Sequence, residues 1–76
     1  MVEVEDIQTT DTWDVWCGDS ELGLAIIQER ENWWGFWYEV GDFEQHWHEF
    51  GEQQPTRDDL EALCFQWYWS RFYSRP

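Results

Sequence analysis

His46-Trp47-His48 is the most enzyme-like stretch of this 76-residue chain. In a strand, residues two apart point to one side, so both imidazoles can reach a single metal ion. Cys17 and Cys64 would complete a Cys2His2 donor set of the kind that holds zinc. The spacing argues against it, because neither cysteine belongs to a C-x-x-C pair and the histidines form no H-x-x-x-H pair. Cys17 falls on the apolar side of a strand pattern and Cys64 on the inner stripe of a helix pattern. Both places suit small buried hydrophobes. His46 and His48 are therefore weak metal candidates, and the expectation is no bound metal, two core thiols and two surface or interface histidines. A Cys17–Cys64 disulfide is the remaining alternative.

Other catalytic patterns are thinner still. There is no G-x-S-x-G, and Ser20, Ser70 and Ser74 fall in a turn or near the C-terminus. Glu39 with Asp42 and Glu44 can be drawn as an acid/base pair. In a chain with seventeen acids such pairs carry little information, and a solvated acidic face explains them. No glycine-rich loop is present to cradle a phosphate. The chain reads as a non-enzyme without a cofactor. Trp33, Trp34, Trp37 and Tyr38, beside Glu31 and Glu39, are residue types that form aromatic cages for methylated ammonium groups or platforms for sugar rings. With sixteen aromatics in all, core and protein interface account for them more simply.

The element that must position these residues is a helix over Pro55–Tyr73. Thr56 is its N-cap, with Asp59 three residues on to complete a capping box. Acids crowd its first turns, and Arg71 and Arg75 lie at or beyond its end, complementing the helix dipole. At about 100° per residue, Leu60, Leu63, Cys64, Trp67 and Tyr68 form one apolar stripe. Ala62, Phe65, Trp69, Phe72 and Tyr73 form a second on the opposite side. A surface helix normally has one apolar face. The second stripe is therefore expected to meet another chain, a homodimer partner included, the alternative being that a folded-back N-terminus or loop covers it.

Upstream of the helix the period changes to two. Val2–Ile7 predicts a first strand, Gln8–Thr12 a turn, and Trp13–Cys17 a short strand ended by Gly18-Asp19-Ser20. Leu22–Ile27 is apolar on both faces and reads as a central strand. Glu29–Asn32 is a polar connection without Asn-Gly or Asp-Gly, which leaves its register open. Trp33–Val40 follows, with Gly35 a bulge or a point of close approach. After the Gly41-Asp42 turn, Phe43–Phe50 is the last strand. The expected fold is α+β: a four- to five-stranded antiparallel meander sheet (about 2–50) packed by one C-terminal helix (about 56–73), in a single domain over 1–76. One helix covers one side of such a sheet. Large aromatics, Trp16 among them, are expected to face solvent and mark a contact surface.

Charge narrows the function classes. Seventeen acids face four arginines and no lysine, for a formal charge of −13. This argues against direct binding of nucleic acid, which rests on Lys and Arg neutralising phosphates, and against anionic membrane surfaces. It steers cationic partners in. Residues 62–76 hold no acid, so the aromatic end of the helix is mildly cationic on an anionic body. The acidic start of the chain is unlike a signal peptide, and no apolar run approaches the length of a membrane span, so a cytoplasmic location is expected.

Two accounts of the acidity remain. One is adaptation to concentrated salt, which leaves the partner of a small interaction domain unspecified. The other is mimicry, in which rows such as Glu3–Glu5 (with Asp6 beside them) and Glu29–Glu31 imitate phosphate spacing. In general character the chain resembles the small, acidic, aromatic inhibitors that phages and mobile elements direct at restriction or CRISPR machinery; no motif carries the resemblance further. It implies an inhibitor that occupies a basic, nucleic-acid-binding surface in the host cytoplasm. The expected contact residues are Phe65, Trp69, Phe72, Tyr73, Trp16, Glu3, Glu5, Asp6, Glu29 and Glu31.

Overall fold

The computed structural model describes the backbone of residues 7–73 and, within it, the side chains of residues 11–71. Glu3, Glu5 and Asp6, and the side chains of Phe72 and Tyr73, lie outside the described residues. Four strands, β1 (Ile7–Cys17), β2 (Ser20–Glu29), β3 (Asn32–Glu39) and β4 (Gln45–Gly51), precede one helix, α1 (Arg57–Tyr73). The strands form one antiparallel sheet in the order β1-β2-β3-β4. This is the α+β meander-plus-helix fold that the periodicity predicts, with four strands.

The segment read as a turn, Gln8–Thr12, is instead part of β1. Its register with β2 slips between Thr9 and Asp11, so that Thr9 faces Ile27 and Asp11 faces Ile26. A bulge at Thr10 therefore absorbs the break in alternation that looked like a chain reversal. The two tight reversals lie elsewhere. Cys17 pairs Ser20 across Gly18-Asp19, with Gly18 at φ 61°. A positive φ at the first central position is what a two-residue hairpin asks of glycine. Glu29 pairs Asn32 across Arg30-Glu31, where Arg30 takes φ 57° without glycine's freedom. Phe43, read as strand, lies in the β3–β4 loop and is 99% exposed.

Side-chain alternation on the sheet decides which residues meet α1. Leu22, Leu24 and Ile26 of β2, with Cys17, Trp37, Leu60, Cys64 and Tyr68, make the buried core. Trp13, Val15, Trp33, Phe50, Leu63, Phe65 and Trp67 pack around it, half-buried. Each methylene-sized group withdrawn from water there contributes about 0.8 kcal/mol. Helix initiation follows the capping box: the Thr56 amide donates to Asp59 Oδ2 (2.9 Å), and the Asp59 amide donates to Thr56 Oγ1 (3.1 Å).

Gly35 sets how closely the helix approaches. A Cβ at this position would lie 2.5 Å from Leu60 Cδ1 and 2.7 Å from Phe50 Cε2. Leu60, fully buried, occupies the space a larger residue would take. Both ends of α1 are then clasped to the sheet. Arg57 donates from Nε (2.8 Å) and Nη2 (2.9 Å) to the Asp11 carboxylate and lies over the Trp13 ring at 4.8 Å. Arg71 donates to Glu39 (2.9 Å) and lies over Trp67 and Tyr68.

Gly35→Ala is expected to destabilise the chain by about 1–3 kcal/mol through overpacking, and Leu60→Ala by about 2–5 kcal/mol through the cavity it leaves. The alanine methyl partly fills that cavity, so the double variant should cost clearly less than the sum. Denaturant midpoints of the four proteins measure this. Strict additivity would mean that Gly35 does not set the helix position.

Candidate partner-binding face

The face of the sheet turned away from α1 has no layer over it among the described residues. Antiparallel register brings Thr12, Asp14 and Trp16 of β1, Glu21 to Glu29 at alternate positions of β2, Trp34, Phe36 and Tyr38 of β3, and Gln45, Trp47 and Glu49 of β4 onto that side. Across it the rings pack on one another. Trp34 meets Trp47 edge-on at 6.4 Å and 79°, Phe36 lies 4.7 Å from Trp47, and Tyr38 lies 5.7 Å from Phe36. Tyr38 also lies against Gly23, where a Cβ would come within 2.6 Å of its ring. Glycine in this strand thus makes room for an aromatic cover.

Trp34, Phe36 and Tyr38 are half-buried by this mutual packing, while Trp47 stays 52% exposed. Ile27, Glu29, Trp34 and Trp47 line a cleft of about 290 Å³. The Trp34 Nε1–H beside it is buried without a hydrogen-bond partner among the described residues, as is that of Trp37 in the core. An unmet buried donor costs about 1–3 kcal/mol. The charged strand positions of the face are Asp14, Glu21, Glu29 and Glu49; none is basic. The face is therefore an aromatic patch with an acidic surround, the composition of a contact surface.

The residues expected to make contact are distributed differently. The second helix stripe divides. Phe65 is half-buried against the core, next to Glu61, which accepts a hydrogen bond from Trp13 Nε1 (2.8 Å). Ala62 is exposed, and Trp69 is 44% exposed, edge-on to Tyr68 at 5.1 Å. The helix sinks far enough onto the sheet for its flanks to reach β1 and β4, so its apolar arc is wide rather than double. Trp16 is 67% exposed. Glu29 ends β2 on the open face, but Glu31 sits in the following turn, so the two are not alternate residues of one strand. The spacing argued for a phosphate-like row does not apply to them. Trp47 and Phe36, read only as strand residues, are central here. The alternation of Trp47 with His46 and His48 was the signal available for it.

The aromatic cage drawn from Trp33, Trp34, Trp37 and Tyr38 cannot assemble. Trp33 and Trp37 pack under the helix, whereas Trp34 and Tyr38 face away from it. His46 and His48 do share a side, the helix side. His46 is sandwiched by Trp37 (5.8 Å, 21°) and Trp67 (4.4 Å), and His48 meets Phe50 at 4.8 Å. Among the described residues no three His, Cys, Asp or Glu side chains come together as a metal would need. Cys17 and Cys64 are free and buried. Burial pushes the Cys64 thiol up to about 12, and it pushes Cys17 up against the opposing effect of a hydrogen bond with Trp69.

Comparison with known proteins leaves the face without a precedent: no family model, curated protein or solved structure matches the chain. No helix among the described residues is long and apolar enough to cross a membrane.

The two clasps make stability pH-dependent. The hydrogen bond from Arg71, then that from Ser20 (2.7 Å), hold the Glu39 carboxyl below its ordinary value, and the hydrogen bond from Arg57 does the same for Asp11. A lowered carboxylate stabilises above its unfolded pKa, and that contribution disappears as pH falls through the folded value. Glu39→Gln should therefore melt below the wild type at pH 7, with the gap closing below about pH 4. Melts from pH 7 to pH 2 measure this. A gap that stays constant to pH 2 would show that the Glu39 charge contributes nothing.

Proposed function

We propose that the chain is a non-catalytic binding protein whose uncovered sheet face docks on a basic surface of a nucleic-acid-handling protein or complex and keeps nucleic acid off it. In character this is an inhibitor of the anti-restriction or anti-CRISPR kind, acting in the cytoplasm of a host cell. One observation carries the reading. The face that no helix covers gathers Trp34, Phe36, Tyr38 and Trp47, and every charged strand position on it is an acid.

The division of labour follows from elementary electrostatics. With a formal charge of −13, the chain attracts a basic surface from a distance, which raises the association rate and fades with salt. Residence depends on burying the rings, because large aromatics at the centre of an interface commonly carry 2 kcal/mol or more each. The acids around them meet lysines or arginines and leave few unpaired charges behind. The chain does not bind nucleic acid itself, since its own charge has the same sign as the phosphates.

The test uses the protein captured by the tagged chain from its source cell, together with the nucleic acid that protein binds. Chain and nucleic acid should exclude each other; a ternary complex with neither affinity reduced would contradict the proposal. Trp47→Ala should dissociate at least about tenfold faster, with its salt dependence unchanged. Asp14→Asn combined with Glu49→Gln should slow association and flatten the salt dependence.

A further inference from the structure

We infer that the cleft between Trp34 and Trp47 is an arginine site, taking one guanidinium group presented by the basic partner. The inference rests on the docking reading above in one respect, that the uncovered face is the face that meets the partner.

Among the described residues, the cleft is apolar apart from a single carboxylate. Trp34, Trp47 and Ile27 line it together with Glu29, and no basic side chain among the described residues does. Its volume, about 290 Å³, lies at the lower edge of the range for small-molecule pockets and suits one long side chain. The occupant's chemistry can be read from the molecule's own packing. Arg57 stacks 4.8 Å from the Trp13 ring and pairs two-pronged with Asp11. Arg71 stacks 5.1 Å from the Trp67 ring and pairs with Glu39. Both arrangements consist of an indole face, a carboxylate and a guanidinium. Trp34 or Trp47 with Glu29 supplies the first two components without the third among the described residues.

Guanidinium fits better than the alternatives. It is planar, lies flat on an indole, is less strongly hydrated than an ammonium, and matches a carboxylate with a fork of donors. A lysine ammonium keeps more of its water and makes no such fork. Rings at 79° offer one flat wall and one edge, which suits a plane better than a spherical trimethylammonium group. A sugar needs several convergent polar partners, and among the described residues Glu29 is the one polar residue in the lining.

The experiment titrates the full chain, with its tryptophan indoles labelled for NMR, with capped Gly-Arg-Gly, Gly-citrulline-Gly and Gly-Lys-Gly. Arginine should shift the Trp34 and Trp47 indole resonances saturably. The isosteric but neutral citrulline peptide should bind at least tenfold more weakly, and the lysine peptide several-fold more weakly. Glu29→Gln and Trp47→Ala, at exposed positions that leave the core intact, should each weaken the arginine response about tenfold. Equal responses to lysine and arginine would reduce the site to general attraction by an acidic protein and overturn the assignment. So would shifts confined to Trp67 or Trp69, or no response at about 10 mM, weaker than any useful anchor. If the peptides fail while the chain still excludes nucleic acid from its partner, only the arginine assignment falls. If the arginine response is present but a ternary complex forms, only the occlusion reading falls.

Discussion

One helix covers one face of a four-stranded sheet, and this chain has aromatic residues for both faces. The whole distribution of apolar surface follows from that mismatch. Alternate residues of β3 illustrate it. Trp33 and Trp37 go under the helix, while Trp34, Phe36 and Tyr38, on the same strand, go to the other side. A one-residue slip in register would exchange the two sets. The register is held because Gly35 alone on this strand lets Leu60 approach the sheet. The uncovered rings reduce their exposure by packing edge-on and tilted against one another, and Trp47 remains the most accessible of the set.

Electrostatics divides along the same line. The helix side holds the two arginine clasps, each combining a carboxylate with an aromatic face and each reaching from one end of α1 to a strand. Arg71 is thereby paired with Glu39, which weakens the picture of a free cationic helix end on an anionic body. The charged strand positions of the open side are all acids. A protein with seventeen acids and four arginines thus uses two of its few cations to fasten the helix, leaving the other face strongly electronegative.

Much of the fold was legible in the residues. The Thr56–Asp59 capping box and the apolar β2 as a central strand followed from spacing, because each depends on local geometry that a period or a cap reveals. Of the two readings of Gly35, bulge or close approach, the packing of Leu60 selects the second. The polar run Gln8–Thr12 misled because a bulge and a turn break alternation in the same way, and only pairing with β2 separates them. The uncovered face was half legible. Exposed aromatics on the sheet were expected, whereas the half-burial of Phe65 at the core margin was not legible in the helix's second stripe. Depth of docking depends on Gly35 and on the arginine clasps together, and no single segment encodes it. The cage residues were grouped by nearness in sequence, whereas strand geometry separates neighbours and unites Trp34 with Trp47 across two strands.

The central claim is that the partner covers the sheet rather than the helix. Hydroxyl-radical footprinting of the chain, free and in its complex, tests it directly, because oxidation of a tryptophan reports solvent access to that side chain. In the free chain Trp47 and Trp69 have similar access, 52% and 44%. The account predicts that the partner protects Trp47 strongly and leaves Trp69 as reactive as before. Protection of Trp69 with Trp47 unchanged would contradict it and return the interface to the helix.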